Sequence, residues 1–413
     1  MRVDCHCHVF NNDCIPVKGL LQSRFGIVVG SRLFHSITPQ VSNGDTSHPD
    51  ELNRRLSLDI DSLIGSFTDP AEKDSLRYLA SHPRDFIRFT LAGKKSMPDI
   101  VAAMMEKASG IDIWVPLMMD TERGYVGGAS VTGFEEQKRI MMEITAKGKG
   151  RIMPFFAYDP RSGPIDAVKA AIECDGFVGV KLYPPLGFKP CGNDDPQVEA
   201  NLEDLYAYCT AGSAAPIPIT AHCSWSDGVF SNRAVPGISN YKEYYRAMAH
   251  PAHWEKVLVK HGNLKLNLAH FGGAGEWERR AFDPSPAATD RDWAKTILRL
   301  MRDYEHVYTD LSFHGILVGK SGDIYGQALM EAIRGMEEKV LLGSDWYMSA
   351  IQCNLENYWQ NFMAALPGLF GAMTGPNAIR FLQSEAARIF FPAFLASREG
   401  MESQFVNLFQ QSS

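Results

Sequence analysis

The chain has no excess of basic residues: 41 lysines and arginines stand against 48 aspartates and glutamates, a net charge of −7. A nucleic-acid surface needs a basic footprint, so nucleic acid is not expected as a partner. Long apolar runs are also missing. No window approaches the roughly 18 apolar residues of a membrane-spanning helix, so no membrane partner is expected either. A basic-plus-apolar leader is lacking, and no targeting peptide is expected ahead of residue 1. Cysteine is sparse, with eight in 413 residues. Scattered thiols in a chain long enough to bury its own core fit a reducing compartment, and the cytoplasm is the expected location. The Gly-rich phosphate turn that follows the first strand of a dinucleotide-binding sheet is absent too. His6-Cys7-His8-Val9-Phe10 occupies that position.

What is present starts with the segment MRVDCHCHVF, residues 1–10. In a strand, alternate side chains point to opposite faces. Asp4, His6 and His8 therefore share one face, while Val3, Cys5 and Cys7 share the other. Two neutral imidazoles one strand-repeat apart can bind a single divalent metal ion. The cysteines face away from that ion and read as small buried hydrophobes.

With 45% hydrophobic and 22% charged residues, the chain suits one large domain. Apolar runs open at Val3, Ile111, Ile152, Phe177, Ile217, Leu264, Val307 and Val340, and helical periodicity separates them. The helices are expected over residues 97–108, 134–146, 165–173, 198–209, 254–261, 293–304 and 324–334. Closing helices are expected over 355–366 and 377–390. Eight strand–helix units predict an α/β fold, a (β/α)₈ TIM barrel spanning 1–413. Residues 9–85 form a loop and helical insertion after the first strand, with helices at 52–64 and 71–80; a short strand follows at 86–91. Residues 376–413 form a helical extension.

Polar residues then fall at the strand ends. His6 and His8 end strand 1, Lys181 lies near the end of strand 4, His222 ends strand 5, His270 strand 6 and Asp345 strand 8. Each alone has an ordinary explanation, such as a helix cap or a solvated loop lysine. Their joint position does not, because the C-terminal ends of barrel strands converge on one mouth. Histidines and a carboxylate meeting there read as a metal site. His314, just past strand 7, falls near the same mouth.

Six segments carry a resemblance to a known family. They are Asp4-x-His6-x-His8, Gly179-Val-Lys181-Leu-Tyr-Pro, Thr220-Ala-His222, Ala269-His270-Phe-Gly-Gly, Tyr308-Thr-Asp310-Leu-Ser and Gly343-Ser-Asp345-Trp. Together with Asn377-Ala-x-Arg380 near the C-terminus, they resemble the amidohydrolase superfamily, in its compact branch of metal-dependent hydrolases and decarboxylases. The resemblance implies one zinc ion held by His6, His8, His222 and Asp345, with His270 as an acid/base group. It also implies a second metal if Lys181 is carboxylated and bridges; one is expected.

Zinc with an open coordination position lowers the pKa of water to about 7. Asp345 is placed to take a proton from that water. His270 is placed to polarise a carbonyl. Uncarboxylated, Lys181 would anchor a substrate carboxylate, with Arg233 from the segment after strand 5 as a helper. Trp225, Phe230, Trp346 and Tyr347 would wall the pocket. The leading expectation is hydrolysis of an amide, lactone or ester-like bond in a small carboxylated molecule. Non-oxidative decarboxylation of a cyclic or aromatic acid is the alternative, and a non-catalytic metal-binding scaffold the third. A homo-oligomer is compatible with the sequence but not required by it.

Overall fold

A computed structural model describes residues 1–16, 18–19, 93–108, 110–126, 129–212, 215–226, 228–282, 292–351 and 354–398. Eight parallel strands run in chain order: β1 (Val3–Cys7), β2 (Ile113–Pro116), β3 (Phe155–Ala157), β4 (Gly179–Leu182), β5 (Ile219–Ser224), β6 (Leu266–Gly272), β7 (Val307–Asp310) and β8 (Val340–Leu341). β1 pairs with β2, and β3 to β8 form a continuous sheet. Two seams join these pieces. Between β2 and β3, Trp114 N donates to Arg151 O at 2.8 Å and Met153 N to Trp114 O at 2.9 Å. Between β8 and β1, Cys5 N donates to Leu342 O at 3.1 Å and Asp345 N to His6 O at 2.7 Å. Every strand is thereby bonded to both neighbours, which closes the expected barrel.

The β8–β1 seam depends on Gly343. A Cβ there would stand 2.3 Å from the His6 Cβ and 2.8 Å from its backbone nitrogen. No side chain can occupy that position without parting the strands.

Register decides what faces inward. Lys181 pairs with Thr220, Thr220 with Asn267, Asn267 with Tyr308, and His222 with Ala269. Residues paired across parallel strands share a face, as do residues two apart. Lys181, Thr220, His222, Asn267 and Asp310 therefore line one face, and all are buried. The opposite face carries Val180, Leu182, Ile219, Ala221, Cys223, Leu266 and Leu268, which pack in the main hydrophobic core. Cys5 and Cys7 are buried as expected, and the cysteines of the described residues are free thiols.

The helices follow the expected order: α1 (Met97–Lys107), α2 (Phe134–Lys147), α3 (Asp166–Cys174), α4 (Pro196–Thr210), α5 (Tyr241–Ala247), α6 (Trp254–Lys260), α7 (Ala274–Phe282), α8 (Trp293–Asp303), α9 (Gly315–Ala332) and α10 (Leu355–Ala365). Their starts are chemically marked. Ser96, Asp195 and Asp292 each accept a backbone N–H of the helix they precede, and proline follows the first two within the first turn. α5 and α7 lie in stretches where no helix was expected. α9 begins nine residues before the expected helix, because Gly319 and Gly322 read as breakers. In the fold, Gly322 and Gly326 press against Ala365 of α10, where a side chain would not fit. None of the described helices is long and apolar enough to cross a membrane.

The closing helix expected over 377–390 is broken in two. After α11 (Pro367–Thr374), α12 (Pro376–Leu382) stops where Lys265 Nζ takes the carbonyl oxygens of Arg380 and Gln383 at 3.1 and 2.5 Å. Ser384 Oγ then accepts Ala387 N at 3.2 Å to start a π turn (Ala386–Phe390) and α13 (Phe391–Ser397). Phe381 of α12 packs on Phe155 and Tyr308. The expected elements at 52–64, 71–80 and 86–91 lie outside the described residues, as does 399–413.

Candidate metal centre at the mouth of the barrel

His6 and His8 reach the mouth from the end of β1, and Asp345 meets them from the turn after β8. His8 Nε2 lies 3.0 Å from Asp345 Oδ1, and His6 Nε2 lies 3.6 Å from the same oxygen. The ligand atoms of these three buried residues fall within 4.8 Å of one another. His8 Nδ1 must donate to the Leu117 carbonyl at 2.8 Å, because a carbonyl oxygen only accepts. In the neutral ring, its Nε2 is then bare. His6 Nδ1 faces Asp310 Oδ2 at 3.1 Å, so its proton belongs there. Burial pushes the His6 imidazole down to about 3, so the ring is neutral. Its buried Nε2 has no hydrogen-bond partner among the described residues.

Two imidazole lone pairs and a carboxylate oxygen therefore point at one spot, with no donor between them. A divalent cation resolves that arrangement, and the mixed nitrogen and oxygen set suits zinc. Burial alone would raise the Asp345 carboxyl. The neighbouring imidazoles of His8, His6 and His270 hold it below the ordinary carboxylate range instead.

Beneath the candidate ligands lies Asp310, which the sequence presented within a motif but without a role. Its Oδ2 accepts from His6 Nδ1 and, at 2.7 Å, from Asn267 Nδ2. Its Oδ1 accepts the His270 backbone N–H at 3.0 Å, the Ser312 N–H at 3.1 Å and the Ser312 hydroxyl. Burial would raise this carboxyl, but His6 and the gathered donors hold it well down. A carboxylate behind a metal-facing histidine fixes the tautomer and aim of the ring. The signal available in the sequence was position alone: Asp310 ends β7 on the inward face.

His270 reaches the site by a backbone turn. Ala269 is the inward residue by register, so simple alternation would send His270 outward. His270 and Phe271 adopt φ of 67° and 46°, and this left-handed turn brings the ring inward. Its centroid lies 4.8 Å from that of His6 and 4.7 Å from that of His222. Phe313 and Asp345 have φ of 65° and 53°, so three strand ends at the mouth carry left-handed non-glycine residues.

His222 lies beside this group rather than within the His6–His8–Asp345 cluster. Its ring stacks on Tyr183, with centroids 4.3 Å apart. Lys181 is only 1% exposed, and its Nζ has no hydrogen-bond partner among the described residues. Burial lowers this amine to about 8, against the pull of Asp310 and Asp345. It borders a cleft lined by Met118, Asp120, Tyr158, Asp159, Tyr183 and Phe188, among others.

Arg233 sits apart from the imidazoles. It belongs to a strap after β5 that is stitched to the loops after β2 and β4. Ser231 Oγ donates to Gly124 O at 2.6 Å, Asn232 Nδ2 to Val126 O at 2.8 Å and Ser231 N to Pro185 O at 3.0 Å. The exposed Arg233 side chain donates its Nε to Arg123 O at 2.6 Å. Of the expected pocket walls, Tyr347 packs on Phe10, which in turn packs on His8. Trp225 and Phe230 both flank Arg246 instead, each ring centroid 4.9 Å from its guanidinium carbon. His314 lies behind the site, with Nε2 donating to the His270 carbonyl at 3.0 Å.

Residues 3–383 match the amidohydrolase family. No curated protein matches the chain significantly. Among solved structures the chain is similar to 2,6-dihydroxybenzoate decarboxylase complexed with 2,6-dihydroxybenzoate: 16% identity, TM-score 0.46, covering 69% of this chain and 87% of that one. It is also similar to 5-carboxyvanillate decarboxylase from Sphingomonas paucimobilis: 14% identity, TM-score 0.46, covering 79% and 95%. A third is an amidohydrolase from Burkholderia multivorans with bound zinc: 17% identity, TM-score 0.45, covering 74% and 95%.

Proposed function

Because the chain belongs to the amidohydrolase family, we propose that it is a hydrolase that uses one zinc ion and acts on an amide, lactone or ester-like bond in a small carboxylated molecule. One observation carries the reading: the bare nitrogens of His6 and His8 and the Asp345 carboxylate converge on a single point. Bound there, a zinc ion would supply Lewis acidity, activating water and polarising a carbonyl.

The chain's own residues do the rest. Asp345, ionised and only 7% exposed, accepts the proton of the attacking water and passes it to the leaving group. Asp310 keeps the proton of His6 on Nδ1, so that the other nitrogen stays available as a ligand. His270 stands against His6 and His222, where it can take a proton and, once protonated, stabilise charge developing on the substrate oxygen. Lys181, whose amine has no hydrogen-bond partner among the described residues, borders a cleft and is suited to hold a substrate carboxylate by a charge-assisted bond. His222, beside His270, is the candidate for a further ligand, and carboxylation of Lys181 is not required.

The test is product analysis with zinc-loaded protein on a panel of carboxylated lactones, amides and aromatic acids. Hydrolysis adds water and releases no CO₂. If CO₂ release is the only turnover found, the reaction is decarboxylation and the hydrolytic reading fails. Zinc binding without turnover on any member would leave a metal-binding scaffold.

A further inference from the structure

The Ser312 hydroxyl reaches a ring nitrogen of both His6 and His270. Its Oγ lies 3.1 Å from His6 Nδ1, 2.8 Å from His270 Nδ1 and in a short hydrogen bond with Asp310 Oδ1. All four residues are buried. A hydroxyl has one proton to give and lone pairs to receive with. Asp310 Oδ1 already receives the backbone N–H groups of His270 and Ser312, so it stands as an acceptor and the Ser312 proton goes to it. His6 Nδ1 has its own acceptor in Asp310 Oδ2. What is left for His270 Nδ1 is the Ser312 lone pair and, at 3.3 Å, the Ser312 carbonyl oxygen, and both are acceptors. The proton of a neutral His270 must therefore sit on Nδ1, which leaves Nε2 bare.

We propose that Ser312 is a positioning residue: it relays the Asp310 carboxylate to His270 and locks that ring in the Nδ1–H tautomer, with a bare Nε2. His270 would then meet a bound molecule as an acceptor first and a donor only after taking a proton. The proposal rests on the reading of His270 as a site residue, but its claim about proton placement stands on this hydrogen-bond network alone. The main chain fixes the rest of the residue. Asp310 Oδ1 accepts the His270 N–H and His314 Nε2 donates to the His270 carbonyl. Of the two acceptors beside Nδ1, the serine hydroxyl at 2.8 Å is nearer than the Ser312 carbonyl at 3.3 Å and does most to distinguish one ring nitrogen from the other.

Long-range ¹H–¹⁵N spectra of protein labelled with [¹⁵N]histidine read tautomers directly, without any substrate. The His270 signal is assigned by its loss in His270→Gln. His314 serves as an internal fold reference, because donation to a carbonyl oxygen requires its Nε2–H form. The wild type is expected to show His270 as Nδ1–H. Ser312→Ala should convert that single pattern into a mixture of tautomers, leaving the His314 pattern and the zinc stoichiometry unchanged. Ser312→Thr, which keeps the hydroxyl, should restore the Nδ1–H pattern. An Nε2–H pattern for His270 in the wild type, or an unchanged Nδ1–H pattern in Ser312→Ala, overturns the proposal. Loss of zinc from a Ser312→Ala protein that keeps the His314 pattern also overturns it, because Ser312 would then be serving His6. Failure to find any hydrolysis would count against the proposed function and leave the tautomer result standing.

Discussion

Two lysines on opposite ends of the barrel have lost their water in different ways. Lys265, just before β6, and Lys181, near the end of β4, are both buried, and burial lowers each amine to about 8. Lys265 has partners: the carbonyl oxygens of Arg380 and Gln383, the last acceptors of α12. It closes a helix end that would otherwise leave polar groups unsatisfied. Neighbouring side chains do similar work. Asn377 Nδ2 holds the carbonyls of Glu337 and Val340, each at 2.8 Å, and Lys339 Nζ those of Met301 and Tyr304. Lys181 has no such partner among the described residues. An unsatisfied buried amine costs stability, and evolution tolerates that cost where a ligand completes the bond. Lys265 is spent on the fold, and Lys181 is held back from it.

That division gives predictions in decreasing order of effect. The largest concerns the ligands. His6→Ala or His8→Ala should lose most bound zinc and essentially all turnover while the circular dichroism stays that of a folded barrel. Full metal content and full activity in either variant would remove the site from the mouth.

Next comes Asp345→Asn, which keeps shape and one oxygen but cannot accept a proton from water. General acid–base catalysis is worth about 10²–10⁴-fold in rate, so kcat should fall by at least about two orders of magnitude while much of the zinc remains. A variant turning over near the wild-type rate would reduce Asp345 to a structural role.

The paired lysines sharpen the contrast directly. A hydrogen bond to a charged group contributes about 1.5–3 kcal/mol. Lys181→Met should therefore raise KM by roughly 10- to 100-fold, with zinc content unchanged and Tm unchanged or higher. Lys265→Met should do the reverse: it leaves two carbonyls unpaired at about 1–3 kcal/mol each, lowers Tm by several degrees and leaves KM nearly intact. Swapped outcomes would refute the comparison.

The smallest effect is expected at Arg233→Ala. An exposed side chain donating to one loop carbonyl should change stability by no more than about 0.5 kcal/mol. Steady-state kinetics should change little; a large rise in KM would bring the strap back into substrate binding.

The barrel was legible because its signals are local and repeat. Eight apolar runs, each followed by helical periodicity, mark eight units, and the polar residues at their ends mark one mouth. The helix expected at 377–390 was misjudged in extent because Lys265, far away in sequence, takes its last carbonyls. α9 was misjudged because glycine reads as a breaker wherever no packing partner is visible.

The sequence by itself determined the order of the strands, the identity of the residues at their ends and, through period-two alternation in β1, the shared face of His6 and His8. Those follow from backbone geometry, which needs only neighbours along the chain. Tertiary structure decided the rest. It turned His270 inward by a left-handed step that alternation would not allow. It set His222 against Tyr183, beside the three-residue cluster. It gathered Asp310 and Ser312 behind two histidines and so assigned their protons. A proton's place depends on which acceptors surround it, and the acceptors at the end of β7 lie 42 residues from His270 and 304 from His6 along the chain, brought together only when the barrel closes.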